Sequence, residues 1–171
     1  MLTMQNGLIF LGDSLTAFHD WSVFGKHRNA GIPGDTTDGL LQRLHYTLEK
    51  KPVTLVLMIG INDLLQGQDI DTMKRNYQKI FEQIGVIDRV VLLSLLPVQM
   101  VPRTQLINEQ IIRLNHFLKR ECAQRGFVFG DLYRDMVDRE GGIKDSFTSD
   151  GVHLTPEAYK IWEEALKTVL Q

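Results

Sequence analysis

Ser14 stands in the string Gly12-Asp13-Ser14-Leu15, where an apolar run ends. A serine hydroxyl is a poor nucleophile at neutral pH unless a base lies within hydrogen-bond reach and a third group orients that base. The same serine reads equally well as a helix cap, so the case turns on the base. The chain has five histidines. His45 lies inside the leucine-periodic segment 40–48, His116 on a polar-side position beside Phe117, and His27 among basic neighbours. The first two read as structural or solvated, and His27 reads as a loop residue. His19-Asp20 is near Ser14 in sequence but rides on the first helix or its loop, pointing away from the strand end. His153 follows Asp150 by three residues. That spacing sets a carboxylate against one ring nitrogen within a tight turn and leaves the other nitrogen to take the Ser14 proton.

Ester cleavage also needs donors aimed at the developing oxyanion. The residues offer three: the backbone N–H of Ser14, the backbone N–H of Gly34 and the side-chain amide of Asn62. Taken alone, Gly34 also reads as a turn glycine with positive φ and Asn62 as an Asx-turn residue. Their appearance at successive strand ends favours the catalytic reading.

The elements that must position these groups follow from hydrophobic patterning. Four short, nearly continuous apolar runs, Gly7–Leu11, Val53–Ile59, Val90–Leu96 and Gly126–Phe129, suit strands buried on both faces. A weaker strand is expected ahead of Asn29. Helical spacing fills the intervals: Leu40, Leu41, Leu44 and Leu48; Ile70, Met73, Tyr77, Ile80 and Ile84; and a long helix from about Gln105 to Arg125 with Ile107, Ile111, Leu114 and Leu118 on one face. Thr155-Pro156 opens a last helix that buries Ala158, Trp162, Ala165 and Val169. Alternating strands and helices predict right-handed crossovers and a three-layer α/β/α architecture. No repeat or linker interrupts it, so residues 1–171 are expected to form a single domain. In open sheets of this kind the functional crevice lies beyond the carboxyl ends of the strands, which is where the motifs fall.

Nineteen basic and twenty-one acidic side chains give a net charge of −2, and 43% hydrophobic with 23% charged residues matches an ordinary globular chain of 171 residues. Without a basic run, neither nucleic acid nor an anionic membrane surface is an expected partner. Cys122, the only cysteine, continues the apolar face of the long helix and reads as core. Met1–Gly12 has no positively charged start and no cleavage site, and Leu8–Leu11 is too short to span a membrane. A cytoplasmic enzyme is the expectation.

The blocks Gly12-Asp13-Ser14-Leu15, Gly31-Ile32-Pro33-Gly34-Asp35, Gly60-Ile61-Asn62-Asp63 and Asp150-Gly151-Val152-His153 together resemble the signature blocks of the SGNH (GDSL-type) hydrolases, in family order. The resemblance covers the chain from about residue 8 to the end. It implies a flavodoxin-like α/β/α sandwich with five parallel strands. It also implies Ser14 as nucleophile, His153 as base, Asp150 as its orienter, and Gly34 and Asn62 as oxyanion donors. In that family the second-block donor precedes the aspartate, so Gly31 is read as structural.

The expected chemistry is ester hydrolysis through an acyl-enzyme, with no metal or organic cofactor and a small-molecule ester as partner. Short acyl esters, thioesters and lysophospholipids fit an open, apolar site. Its expected walls include Phe18, Trp21, Leu64, Val98 and Phe147, with Leu65 and Met100 further candidates. Removal of acetyl groups from carbohydrates is the alternative within the family. From another reaction class comes a metal-dependent phosphohydrolase, with Asp13, Asp35, Asp63 and Asp150 gathered round Mg²⁺; it leaves Asn62 and the Asp150–His153 spacing without a role.

Overall fold

A computed structural model describes residues 7–170. Residues 1–6, which begin the stretch read as carrying no leader, and Gln171 lie outside the described residues. Five strands form a sheet of order β2-β1-β3-β4-β5, with helices between them in an α/β arrangement. The chain divides into two compact units, residues 1–92 and 93–171.

In the first unit β1 (Leu8–Gly12) lies between β2 (His27–Gly31) and β3 (Thr54–Met58), and β4 (Arg89–Leu93) follows β3. All three pairings are parallel, with Gly12 level with Gly31 on one side and with Met58 on the other. Every residue of β1 is buried, as expected for a strand covered on both faces. The edge strand β2 carries the polar sequence His-Arg-Asn-Ala-Gly, with Arg28 and Asn29 exposed and the rest half-buried. That explains why patterning locates it only as something ahead of Asn29: a strand paired on one side has less apolar surface to hide.

Short α1 (Ser14–Ala17) follows β1, α2 (Thr37–Leu48) follows β2, and α3 (Ile61–Leu65) and α4 (Ile70–Ile84) follow β3. Leu40 and Leu44 of α2 and Met73, Tyr77, Ile80, Phe81 and Ile84 of α4 are buried at helical spacing. Each such side chain contributes roughly 1.5–3 kcal/mol of transfer free energy. Thr36 caps α2 and Asp69 caps α4 through bonds to Gly39 N and Thr72 N.

The second unit contains α5 (Thr104–Arg125), β5 (Val128–Gly130), short α6 (Tyr133–Met136) and α7 (Pro156–Leu170). The apolar run expected to be strand to Leu96 leaves the ladder at Leu93. Beyond it, side chains of α5 serve the backbone instead. Asn115 Oδ1 accepts from Leu95 N at 2.7 Å while its Nδ2 donates to Leu95 O at 2.9 Å. Asn108 treats Val98 in the same way, at 2.9 and 2.8 Å. Two amides one face-repeat apart on a helix thus replace a neighbouring strand and keep the buried backbone satisfied. Pro156 opens α7, with Thr155 Oγ1 accepting from Ala158 N. The buried face of α7 is Ala158, Tyr159, Trp162, Leu166 and Leu170, while the expected Ala165 and Val169 are only half-buried.

Candidate active site

At the carboxyl end of β1 the chain turns at once into α1. Asp13, fully buried, accepts from Leu15 N through Oδ1 at 2.9 Å, and its carbonyl accepts from Ala17 N at 2.9 Å. The cap is therefore Asp13, and Ser14 is the first residue inside the helix. The helix-cap reading of Ser14 is thereby removed. Ser14 is 5% exposed.

The next loop is tied to this turn. Ile32 N donates to Gly12 O at 3.0 Å, and Asp35 N closes a tight turn on Ile32 O at 3.1 Å. Pro33 holds the second position and Gly34 the third, at φ +81°. That conformation belongs to glycine, because a Cβ there strains the backbone even though no atom occupies the space it would fill. Gly34 is thus a turn glycine in a loop that Ile32 ties to Gly12.

Arg43 on α2 fastens the same region. Its Nη2 donates to Gly12 O, its Nη1 to Ala30 O, and its Nε to Asp35 Oδ2. Asn62, on the first turn of α3, donates from Nδ2 to Asp35 O at 2.9 Å. That contact fixes the amide plane and uses one of its two N–H bonds, which leaves the second for another acceptor.

Beneath these groups lies Asp63. Its Oδ2 accepts from Thr37 N at 2.9 Å and its Oδ1 from Thr37 Oγ1 at 2.5 Å, while Asn76 Nδ2 donates to Thr37 Oγ1 at 3.0 Å. Burial pushes the Asp63 carboxyl up, against the pull of the Thr37 hydrogen bonds and with help from the Asp35 charge. Tyr77 donates to Ile59 O at 2.5 Å. Its phenol is held well above the usual range by burial and then by the charges of Asp63 and Asp13.

In the second unit, residues 148–153 form a compact turn. Asp150 Oδ2 lies 2.6 Å from His153 Nδ1, while Oδ1 accepts from Val152 N at 2.9 Å and His153 N at 2.8 Å. Thr148 clamps the turn by donating to His153 O and accepting from Gly151 N. Gly151, at φ +89°, brings its backbone against Gln99, whose N–H donates to Gly151 O at 3.0 Å. A Cβ at 151 would overlap the Gln99 carbonyl. Burial works to raise the Asp150 pKa, but the hydrogen bonds from the His153 ring and from the His153 and Val152 amides outweigh it and bring the carboxyl down to about 2. Asp150 is thus a carboxylate throughout the range where an imidazole works as a base.

The four carboxylates considered as metal ligands each have a protein partner: Asp13 with Leu15 N, Asp35 with Arg43, Asp63 with Thr37 and Asp150 with His153. Among the described residues no group of three His, Cys, Asp or Glu is clustered as a metal ion would need.

The expected pocket walls need correction. Phe18 is 60% exposed, as a substrate contact requires, but Trp21, Leu64, Val98 and Phe147 are buried. Trp21 stacks on Phe10 at 4.5 Å and donates from Nε1 to Thr16 O at 2.9 Å, so it is core behind β1. Phe147 lies under the Lys144 ammonium. Apolar residues just past a strand end read alike whether they line a pocket or close a core. Met100 is exposed.

With this geometry established, the chain can be set beside known proteins. The profile of the GDSL-like lipase/acylhydrolase family matches residues 10–161. The chain belongs to that family. Its GDSL-like fold superposes on a GDSL-like lipase from Bacteroides thetaiotaomicron with a TM-score of 0.86 at 25% identity, covering 96% of this chain and 87% of that one. An acetylxylan esterase from Geobacillus stearothermophilus shares the fold, with a TM-score of 0.78 at 15% identity over 95% of this chain and 93% of that one. Among curated sequences, the N-acylneuraminate cytidylyltransferase of Streptococcus agalactiae serotype V is 25% identical over 168 residues, 94% of this chain. The chain spans about 40% of the length of that relative.

Sequence reasoning missed Arg43 and Thr37 as supports around Ser14 and Asn62 in the first unit, and Thr148 and Gln99 as supports of the Asp150–His153 turn in the second. Only Arg43 left a signal, a cation inside the apolar-periodic segment 40–48. Among the described residues no helix is long and apolar enough to cross a membrane.

Proposed function

We propose that the chain is a serine carboxylic-ester hydrolase using Ser14, His153 and Asp150. The observation that carries this reading is the 2.6 Å contact between Asp150 Oδ2 and His153 Nδ1. It fixes Nδ1 as the protonated nitrogen and leaves Nε2 as the base. In the first step Ser14 Oγ attacks the ester carbonyl carbon and His153 Nε2 takes the hydroxyl proton. The tetrahedral oxyanion is met by the N–H groups of Ser14 and Gly34 and by the second N–H of Asn62. Collapse breaks the bond to the alcohol, which leaves with the proton from His153. Water, deprotonated by His153, then attacks the acyl-enzyme and releases the carboxylic acid and Ser14.

Exposed Phe18 beside the nucleophile turn supports short acyl groups. A second reading, removal of acetyl groups from carbohydrates, draws support from the relatives. The curated ones are named for N-acylneuraminate, a sugar acid, and one structural neighbour for acetylxylan. Cytoplasmic action on a small-molecule ester completes the proposal.

The test is labelling with a fluorophosphonate alongside hydrolysis of p-nitrophenyl acetate. Wild type is labelled and turns over; Ser14→Ala does neither. Labelling that persists in the variant assigns the nucleophile elsewhere.

A further inference from the structure

A groove of about 540 Å³ opens beside the Asp150–His153 turn. One wall is the first two turns of α5, presenting Thr104, Gln105, Asn108 and Glu109; the facing wall carries Asp138 and Glu140 over the backbone of Gly141 and Gly142. Gln99 closes the end nearest the turn. Its N–H donates to Gly151 O at 3.0 Å, and its side-chain amide, which also lines the groove, donates to Asp145 Oδ1 at 3.0 Å. One hydrogen bond therefore separates the groove from the residue next to Asp150. The segment between them holds two non-glycine residues in the left-handed region, Met100 at φ 54° and Arg103 at φ 61°. Strain of that kind concentrates at functional sites.

The lining specifies its occupant. Ile112 is the apolar side chain present, and among the described residues no lysine, arginine or aromatic ring joins it. An alkyl chain laid here would strip water from amides and carboxylates and return no hydrogen bond. An anionic ligand would meet three carboxylates with no cation in the lining to offset them. A group bearing several neutral hydroxyls suits it. Each hydroxyl both donates and accepts; Glu109, Asp138 and Glu140 offer carboxylate acceptors and Gln99 and Gln105 offer amides, while Asn108 and Thr104 are already bonded to the Val98 and Val101 backbone. Part of the array is already set: Glu109 Oε1 accepts from Gln105 Nε2 at 3.3 Å, and Asp138 Oδ1 accepts from Glu140 N and Gly142 N at 2.8 and 2.9 Å.

We propose that this groove is the subsite for the alcohol portion of the ester and that it selects an uncharged polyhydroxylated alcohol, such as a neutral sugar ring, over an alkyl alcohol or an anionic sugar. The assignment rests on the esterase reading above. It adds that the relevant sugar is neutral, unlike the N-acylneuraminate that names the curated relatives.

Three acetyl esters separate the outcomes: p-nitrophenyl acetate, a methyl 6-O-acetylglucoside and an O-acetylated N-acetylneuraminate. Wild type should favour the glucoside over the anionic sugar by about tenfold or more in kcat/KM, the scale of one or two polar interactions made or opposed. Gln105 and Glu109 are exposed on α5. The double variant Gln105→Ala, Glu109→Ala should lower the glucoside to p-nitrophenyl acetate ratio of kcat/KM by about tenfold, mainly through KM. Glu109→Lys should move preference toward the anionic sugar. A ratio that neither variant moves, or a wild type that prefers the anionic sugar, overturns the subsite while leaving the esterase. A wild type that cleaves none of the three overturns both.

Discussion

The Arg43 guanidinium reaches Asp35 Oδ2 at 2.7 Å while the same side chain donates to the carbonyls of Gly12 and Ala30 at 3.0 Å. One residue of α2 thus holds the ends of β1 and β2 and the loop after Gly34. Asp35 in turn supplies the carbonyl that orients Asn62. The Ser14 turn and the Asn62 amide therefore share one support.

Arg43→Ala leaves Asp35, 8% exposed at the side chain, without its cation and frees two carbonyls. Breaking a fully buried pair costs about 3–5 kcal/mol. Arg43 is 18% exposed at its side chain, so about 2–3 kcal/mol is expected, a fall in Tm of roughly 5–10 °C for a chain of this length. Arg43→Lys keeps the charge but not the planar fork, and should recover less than half of the loss in thermal denaturation.

Asn62→Ala removes both the contact to Asp35 O and the proposed oxyanion donor. The expected loss is about 3 kcal/mol of transition-state stabilisation, on the order of a hundredfold in kcat with KM little changed. Steady-state kinetics on p-nitrophenyl acetate measure it, and an unaltered kcat removes Asn62 from the oxyanion site.

Asp150→Asn keeps the shape of the turn but reverses the tautomer preference of His153. By analogy with triads of the same design, kcat should drop on the order of a thousandfold or more. The stability effect carries a defined pH sign. The folded pKa lies below the unfolded one, near 2 against 3.8. The carboxylate's contribution is therefore fully present above about pH 5 and fades as pH falls toward 2. Urea midpoints of wild type and variant should differ by a constant amount from pH 5 to 8 and converge in acid.

Asp63 runs the other way. Its folded pKa is raised by burial, so its contribution to stability is greatest below the unfolded carboxylate range and is lost as pH climbs through the folded value. Asp63→Asn cannot ionise. Urea midpoints measured upward from pH 4 should therefore shift in favour of the variant relative to wild type. An offset that stays constant across the range shows that Asp63 does not titrate there.

How much of the fold and site is legible in the sequence depends on what each residue answers to. Strand β1 and the Asp150–His153 turn declare themselves locally, one by an unbroken apolar run and the other by a three-residue spacing. Asn108 and Asn115 do not. On a helix they look like ordinary polar positions, and their partners are backbone atoms of Val98 and Leu95, the second of which lies in a run that patterning assigns to a strand. Arg43 is hidden for the same reason: its three partners lie 8, 13 and 31 residues away in sequence. Trp21 is misread as a pocket wall because hydrophobicity reports that a side chain avoids water and not whether protein or substrate shields it.

Cys122 lies buried on α5, its thiol pushed up to about 12 by burial and the neighbouring Glu121 charge. A thiol so protonated and enclosed reacts slowly with maleimides at neutral pH. The chain is therefore already a low-background scaffold for site-specific labelling. A cysteine introduced at Phe18 or Met100, both exposed, would carry a fluorophore alone, with no need to remove the natural sulfur.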